Sequence, residues 1–140
     1  MKKNKKTALI LGVTGQDGSF MAELLLRKNY IVHGLVRKSA TGNLINVSKI
    51  IRSSKFFKIH HGDLLDFVSI TNIVSKIKPD EIYNFADQDH VKWSFEVPSY
   101  SFDVTGGSVV KILDIIKNCS PESKFFQPFS SNMFGNSHKK

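Results

Sequence analysis

The chain has 140 residues, 41% hydrophobic and 23% charged, which suits a single soluble domain large enough to bury a core. Its net charge of +8 is largely a fringe: without Lys2, Lys3, Lys5, Lys6, Lys139 and Lys140 the rest carries +2, which speaks against a nucleic-acid partner. No apolar run approaches the ~20 residues of a membrane span, and a single cysteine, Cys119, excludes an internal disulfide and suits a reducing cytoplasm.

Residues 1–6 read as a basic tail, and the apolar run behind them, about five residues long, is too short for a secretory leader of about 7–15. Residues 7–140 read as one domain. Thr7–Leu11 is predicted as a strand, Gly12–Gly18 as a glycine turn and Ser19–Asn29 as a helix. Tyr30–Val36 is a second strand, rich in β-branched residues. Residues 37–54 are polar, with a short helix over Leu44–Arg52. A third strand, Phe56–His60, runs into Gly62-Asp63-Leu64, with His60 and His61 closing it. Val68, Ile70, Ile73, Val74 and Ile77 have helical spacing and predict a helix over Asp66–Lys76, which Pro79 stops. Glu81–Ala86 is a fourth strand, Tyr100–Asn118 a long helix, and Lys124–Gln127 a fifth strand with residues 130–135 at its carboxyl end. Strands that alternate with helices and lack hairpin turns predict an α/β fold: a Rossmann-like, doubly wound parallel sheet of order 3-2-1-4-5.

Strand, glycine turn and helix together form a seat for a dinucleotide pyrophosphate. Gly12, Thr14, Gly15, Gln16, Asp17 and Gly18 are the candidate phosphate-binding residues, because glycine lets the backbone approach and the helix N-terminus offers unpaired N–H groups. Past the second strand the chain reads Arg37-Lys38-Ser39 with no carboxylate. An acidic residue there would bond the ribose of NAD, so a cation points to NADP, with Arg37 on the 2′-phosphate. Asp63 is placed to accept from the adenine amino group and Leu64 to pack on the ring, Asp66 being the better cap for the following helix. Phe85 and Ala86 would pass beside the phosphates and ribose. Asp87, Asp89 and His90 form a polar cluster, but nothing elsewhere has ligand spacing, so no metal is expected. Trp93, Phe95 and Tyr100 read as packing or interface residues.

Together these segments resemble the extended short-chain dehydrogenase/reductases that act on nucleotide sugars, and within them the 4,6-dehydratase branch for GDP-mannose-like sugars. The resemblance runs through Gly12–Gly18, Val32–Arg37, Gly62-Asp63-Leu64, Pro79–Asn84, His90-Val91 and Lys124–Gly135. It implies NADP, a GDP-sugar substrate, a homo-oligomeric parent, and an internal redox cycle with loss of water that yields a 4-keto-6-deoxy sugar. It also implies that the residues after the fifth strand face the sugar: Ser130, Ser131 and Asn132. There the family carries Ser-Thr-Ser-Glu, and this chain reads Phe129-Ser130-Ser131-Asn132. Asn132 thus stands where the family has the glutamate that takes the C5 proton, and a carboxamide is no base near neutral pH.

A second departure is Asp87-Gln88-Asp89-His90 in place of the family's Ala-Gln-Ser-His. Asp87 or Asp89 is therefore a candidate for the displaced acid/base role, with altered sugar contacts as the alternative. The family's Tyr-x-x-x-Lys pair has no counterpart, since Tyr30, Tyr83 and Tyr100 lack a lysine four positions on. The expectation is an N-terminal cofactor-binding part that is inactive by itself. An epimerase or reductase of nucleotide sugars and a non-catalytic NADP-binding module are the two rival readings.

Overall fold

The computed structural model describes residues 5–40, 43–130 and 133–135. Five parallel strands form one sheet: β1 (Thr7–Leu11), β2 (Ile31–Val36), β3 (Phe57–His61), β4 (Glu81–Asn84) and β5 (Lys124–Phe126). Their order is β3-β2-β1-β4-β5, as the sequence predicts. The switch in direction falls between β1 and β4, where Leu11 sits beside Asn84.

The apolar residues of the strands alternate between two cores. Leu9, Leu11, Leu35 and Ile82 pack with Ile70 and Val74 of α3 (Phe67–Ile77) and with Ile112, Ile115 and Ile116 of α6 (Ser108–Cys119). Ala8, Ile10, Val32, Val36 and Phe57 pack on the other face with Ala22 and Leu25 of α1 (Gln16–Arg27) and Ile50 of α2 (Ser48–Ser53). Successive side chains point to opposite faces of a strand, so one five-residue run feeds both layers. No helix among the described residues is long and apolar enough to cross a membrane.

Helix boundaries follow local chemistry. The first helix starts three residues earlier than predicted, at Gln16, with Gly15 as its cap. Gly18 therefore belongs to its opening turn, not to the preceding loop. The helix ends where Asn29 takes a left-handed φ of 65°, with the amides of Asn29 and Tyr30 bonding back to Leu26 and Leu25. Asp66 caps α3, its carboxylate accepting from the Ser69 amide at 3.3 Å. Lys78, at φ 47°, closes that helix just before Pro79.

The long helix predicted over Tyr100–Asn118 is divided. It comprises α5 (Pro98–Phe102), a wider π turn at Asp103–Gly107 and α6. Gly106 and Gly107, the poorest helix formers after proline, lie in the wide turn. A further short helix, α4 (Val91–Glu96), has no sequence precursor. It buries no residue, so it carries no amphipathic stripe by which it could be read. Phe95 on it is 82% exposed and Trp93 50%, so neither packs into a core, contrary to the packing half of the sequence expectation.

At the amino end of the sheet, Glu81 gathers Lys6 (3.2 Å), Tyr30 (3.0 Å) and Tyr83 (2.8 Å). Burial alone would raise the Glu81 carboxyl, but the bonds from Tyr83, Lys6 and Tyr30 hold it below its ordinary value. Burial raises both phenols, and their bonds to Glu81 raise them further. This cluster ties β4 to β2 at the end of the sheet remote from the glycine turn.

Candidate functional site

Two adjoining cavities lie along the carboxyl ends of the strands. The first, about 300 Å³, is lined by Gly12, Thr14 and Gly15, by Arg37, and by Asp63 and Leu64. The second, about 770 Å³, runs from Asp17 past Asn84 and Ser101 to Gln127 and Ser130. Phe85, Ala86, Asp87 and Asp89 line both and form the boundary.

The glycine turn is built for close approach. Gly12 has a φ of 76°, and a Cβ there would lie 2.7 Å from the Ala86 nitrogen and 2.8 Å from the Phe85 carbonyl. A Cβ on Gly18 would run into the Gly12 carbonyl oxygen. Both glycines thus press β1, α1 and the exit of β4 together. Gly15 caps α1 with no side-chain bond, so the first amides of the helix keep their donors. Thr14 is held from the polar segment after β2: Asn43 donates to its hydroxyl at 3.2 Å and Asn46 to its carbonyl at 2.8 Å.

Each predicted residue can now be placed. Gly12, Thr14, Gly15, Arg37, Asp63, Leu64, Phe85, Ala86, Asp87 and Asp89 share the first cavity. Gln16 and Gly18 line neither cavity: Gln16 is exposed on α1, and Gly18 is buried where helix and strand touch. Asp17 and Ser130 face the second cavity. Ser131 and Asn132 lie outside the described residues. Arg37 follows β2 and has no carboxylate partner among the described residues. Asp63 is less free than its sequence context suggests, because its Oδ1 accepts from the Leu65 amide at 2.9 Å. Leu64 is 7% exposed and packs into the core under the cavity floor.

The segment 87–90 is braced. Asp87 Oδ1 accepts from the Thr105 hydroxyl at 2.5 Å and from the Gln88 amide at 2.7 Å. The Gln88 side chain donates to Ser101 Oγ at 2.9 Å and accepts from the His90 amide at 2.7 Å. Beneath the segment, Asn84 is 1% exposed and donates to Gln127 Oε1 at 2.8 Å, joining the ends of β4 and β5. Among the described residues no group of three His, Cys, Asp or Glu is placed to hold a metal.

Sequence reasoning missed Asn43, Tyr100 and Val104 in the first cavity, Ser101, Thr105 and Gln127 in the second, and the His33–His60 pair on the adjacent strands β2 and β3. Tyr100 reads in the sequence as a packing or interface residue. The histidine rings on β2 and β3 stack 5.0 Å apart at 14°, with His33 Nδ1 2.7 Å from His60 Nε2. One ring must donate and the other accept, so the accepting ring at least is neutral when bonded in this way. Burial lowers His33 to about 4, with His60 and Lys58 adding to the shift. Burial, then Lys76 and Lys58, lowers His60. The visible trace was only that both histidines interrupt strands, and register is needed to bring Leu35 opposite His60 and His33 opposite Lys58.

A sequence model of one family, described as GDP-mannose 4,6 dehydratase, matches residues 9–140. The chain belongs to the GDP-mannose 4,6-dehydratase family. It is 41% identical over 140 residues to the GDP-mannose 4,6 dehydratase of Cricetulus griseus, covering 95% of this chain and 38% of the relative. It is 40% identical over 142 residues to the human protein, covering 96% and 38%. With the Vibrio cholerae GDP-mannose 4,6-dehydratase it shares 41% over 138 residues, covering 94% and 37%. The chain therefore spans well under half the length of these members of the GDP-mannose 4,6-dehydratase family.

Among solved structures, the Bordetella bronchiseptica enzyme WbmH in complex with NAD+ matches 95% of this chain and 42% of its own, with a TM-score of 0.75 at 21% identity. The Campylobacter jejuni UDP-Glc/GlcNAc 4-epimerase matches 86% and 36%, with a TM-score of 0.76 at 22% identity. At such identities the likeness speaks for the fold that the GDP-mannose 4,6-dehydratase family shares with these enzymes.

Proposed function

We propose that this chain is the N-terminal, cofactor-binding part of a GDP-mannose-type 4,6-dehydratase and that it takes NADP. The observation that carries the reading is the cleft itself. A helix N-terminus with no side-chain cap and a glycine turn with no room for side chains stand beside Arg37, which has no carboxylate partner among the described residues. A diphosphate fits the first two by hydrogen bonding and dipole, and a 2′-phosphate fits the planar fork of Arg37. Asp63 and Leu64 would frame the adenine, and Phe85 and Ala86 the path toward the second cavity.

Bound NADP would supply an internal hydride transfer that turns a GDP-sugar into its 4-keto-6-deoxy form with loss of water. In this chain Ser130, Ser131 and Asn132 would face the sugar, and Asp87 or Asp89 would take over the acid/base role that Asn132 cannot fill. Without a Tyr-x-x-x-Lys pair the 140 residues bind but do not turn over. The intact protein would act in the cytoplasm as a homo-oligomer, in keeping with the apolar side chains that α4 and α5 expose, Trp93, Phe95 and Phe102 among them.

Titrating the chain with NADPH and NADH, followed by nucleotide fluorescence, tests the reading. NADPH should bind saturably and the tighter of the two. Arg37→Ala should weaken NADPH by about tenfold or more, the worth of a lost charge-assisted bond, and leave NADH unchanged. Preference for NADH would overturn the 2′-phosphate assignment, and absence of binding by either would overturn the cofactor reading.

A further inference from the structure

The two carboxylates at the cavity boundary are held differently. Asp87 has one oxygen fully engaged, with Oδ1 accepting from both the Thr105 hydroxyl and the Gln88 amide. Its other oxygen makes no hydrogen bond among the described residues, and Asp89 makes none at either oxygen. Two donors converging on one oxygen fix the plane of a carboxylate and leave the second oxygen at a set place. Thr105 sits in the π turn, where the extra residue per turn alters which side chains a helix presents. The neighbouring Gln88 is tied to Ser101 on α5, so the helix braces the 87–90 segment at two points.

The free oxygen of Asp87 is thus a preorganised acceptor at the junction of the two cavities. A carboxylate accepts strongly from hydroxyls, and it repels phosphate by like charge. A ligand whose diphosphate lies on the glycine turn must therefore pass Asp87 with a hydroxyl-bearing group and not a phosphate.

We propose that Asp87 is a specificity-determining residue that accepts a hydrogen bond from the second ribose of a dinucleotide as it crosses between the cavities. Thr105 is the positioning residue that holds it. This rests on the dinucleotide reading above and deepens it. It also divides the roles of the two carboxylates, with Asp87 committed to binding and Asp89 left as the one whose carboxylate has no partner among the described residues.

The test compares two probes on the 140-residue chain: NADPH, and 2′-phospho-ADP, which lacks the second ribose. Asp87→Ala should weaken NADPH about tenfold and leave 2′-phospho-ADP unchanged or slightly tighter, because a negative charge has been removed. Thr105→Val should give a loss of about threefold for NADPH alone, and Thr105→Ser, which keeps the hydroxyl, should restore it. Melting temperatures should not change, since both residues are exposed. Equal weakening of both probes, or unchanged NADPH affinity in Asp87→Ala, would overturn the assignment while the cofactor reading stands. Failure of the unaltered chain to bind either probe would overturn the cofactor reading and this inference with it.

Discussion

The two ends of the cleft are made in different ways. The first, around Gly12, Arg37 and Asp63, is built on the backbone: glycines too tight for a Cβ, a bare helix start, and loops that leave buried strands. The second, around Asp87, Gln127 and Ser130, is built from side chains that hydrogen-bond across loops, beside a short edge strand and exposed apolar residues. The first end is welded to both cores, whereas the second rests on a polar network at the margin. Changes at the glycines of the first end should therefore be read in stability, and changes in the side-chain network of the second in ligand affinity.

Gly12→Ala sharpens this contrast most. The substitution forces a side chain into a left-handed position and against the backbone of residues 85 and 86. Urea denaturation should show a loss of about 3 kcal/mol or more, whereas Asp87→Ala at the second end should move the midpoint hardly at all. Near-equal losses in the two variants would break the distinction.

Acid should act through β2 and β3, the strands that lead to the first end. His33 is 8% exposed and its proton affinity falls from 6.5 to about 4 on folding. Between those values the unfolded chain binds the extra proton and the folded chain does not, so stability rises with pH across the window. The contribution is fully present above pH 6.5 and lost as pH falls toward 4, an effect on the order of 3 kcal/mol. Denaturation midpoints measured across that range should fall with pH, and His33→Asn should flatten the slope. A flat profile in the unaltered chain would show that the histidine pair is not the acid-labile part of the sheet.

The smallest effect belongs to the cap that follows Asp63. Asp66→Ala removes the acceptor for the Ser69 amide and should cost about 1 kcal/mol in the same denaturation assay. Asp66→Asn should recover most of it. A loss with no recovery would mean that Asp66 matters by charge and not as a cap.

Legibility followed the same divide. Strand order, the alternation of β1 through β4, the glycine turn and the positions of Arg37 and Asp63 were readable because period and turn chemistry are local. Helix α4 was not readable, since none of its six residues is buried. The break in the helix after α5 was visible only as Gly106-Gly107, which does not say which kind of irregularity results. The Asp87–Thr105 bond joins residues 18 positions apart, and the Asn84–Gln127 bond joins residues 43 apart. Neither pairing leaves a mark in composition or spacing.

By itself the sequence determined the fold, the family and one end of the cleft, because hydrophobic period, glycine and charge act on near neighbours. Only the tertiary structure decided that Gly18 is buried against the Gly12 carbonyl, that His33 and His60 share a bond, and that Asp87 is pinned while Asp89 has no hydrogen bond to its carboxylate among the described residues. Those outcomes depend on the register of β2 against β3 and on a wide helical turn lying against a loop. They are distances between remote residues, fixed when the two cores close around the sheet.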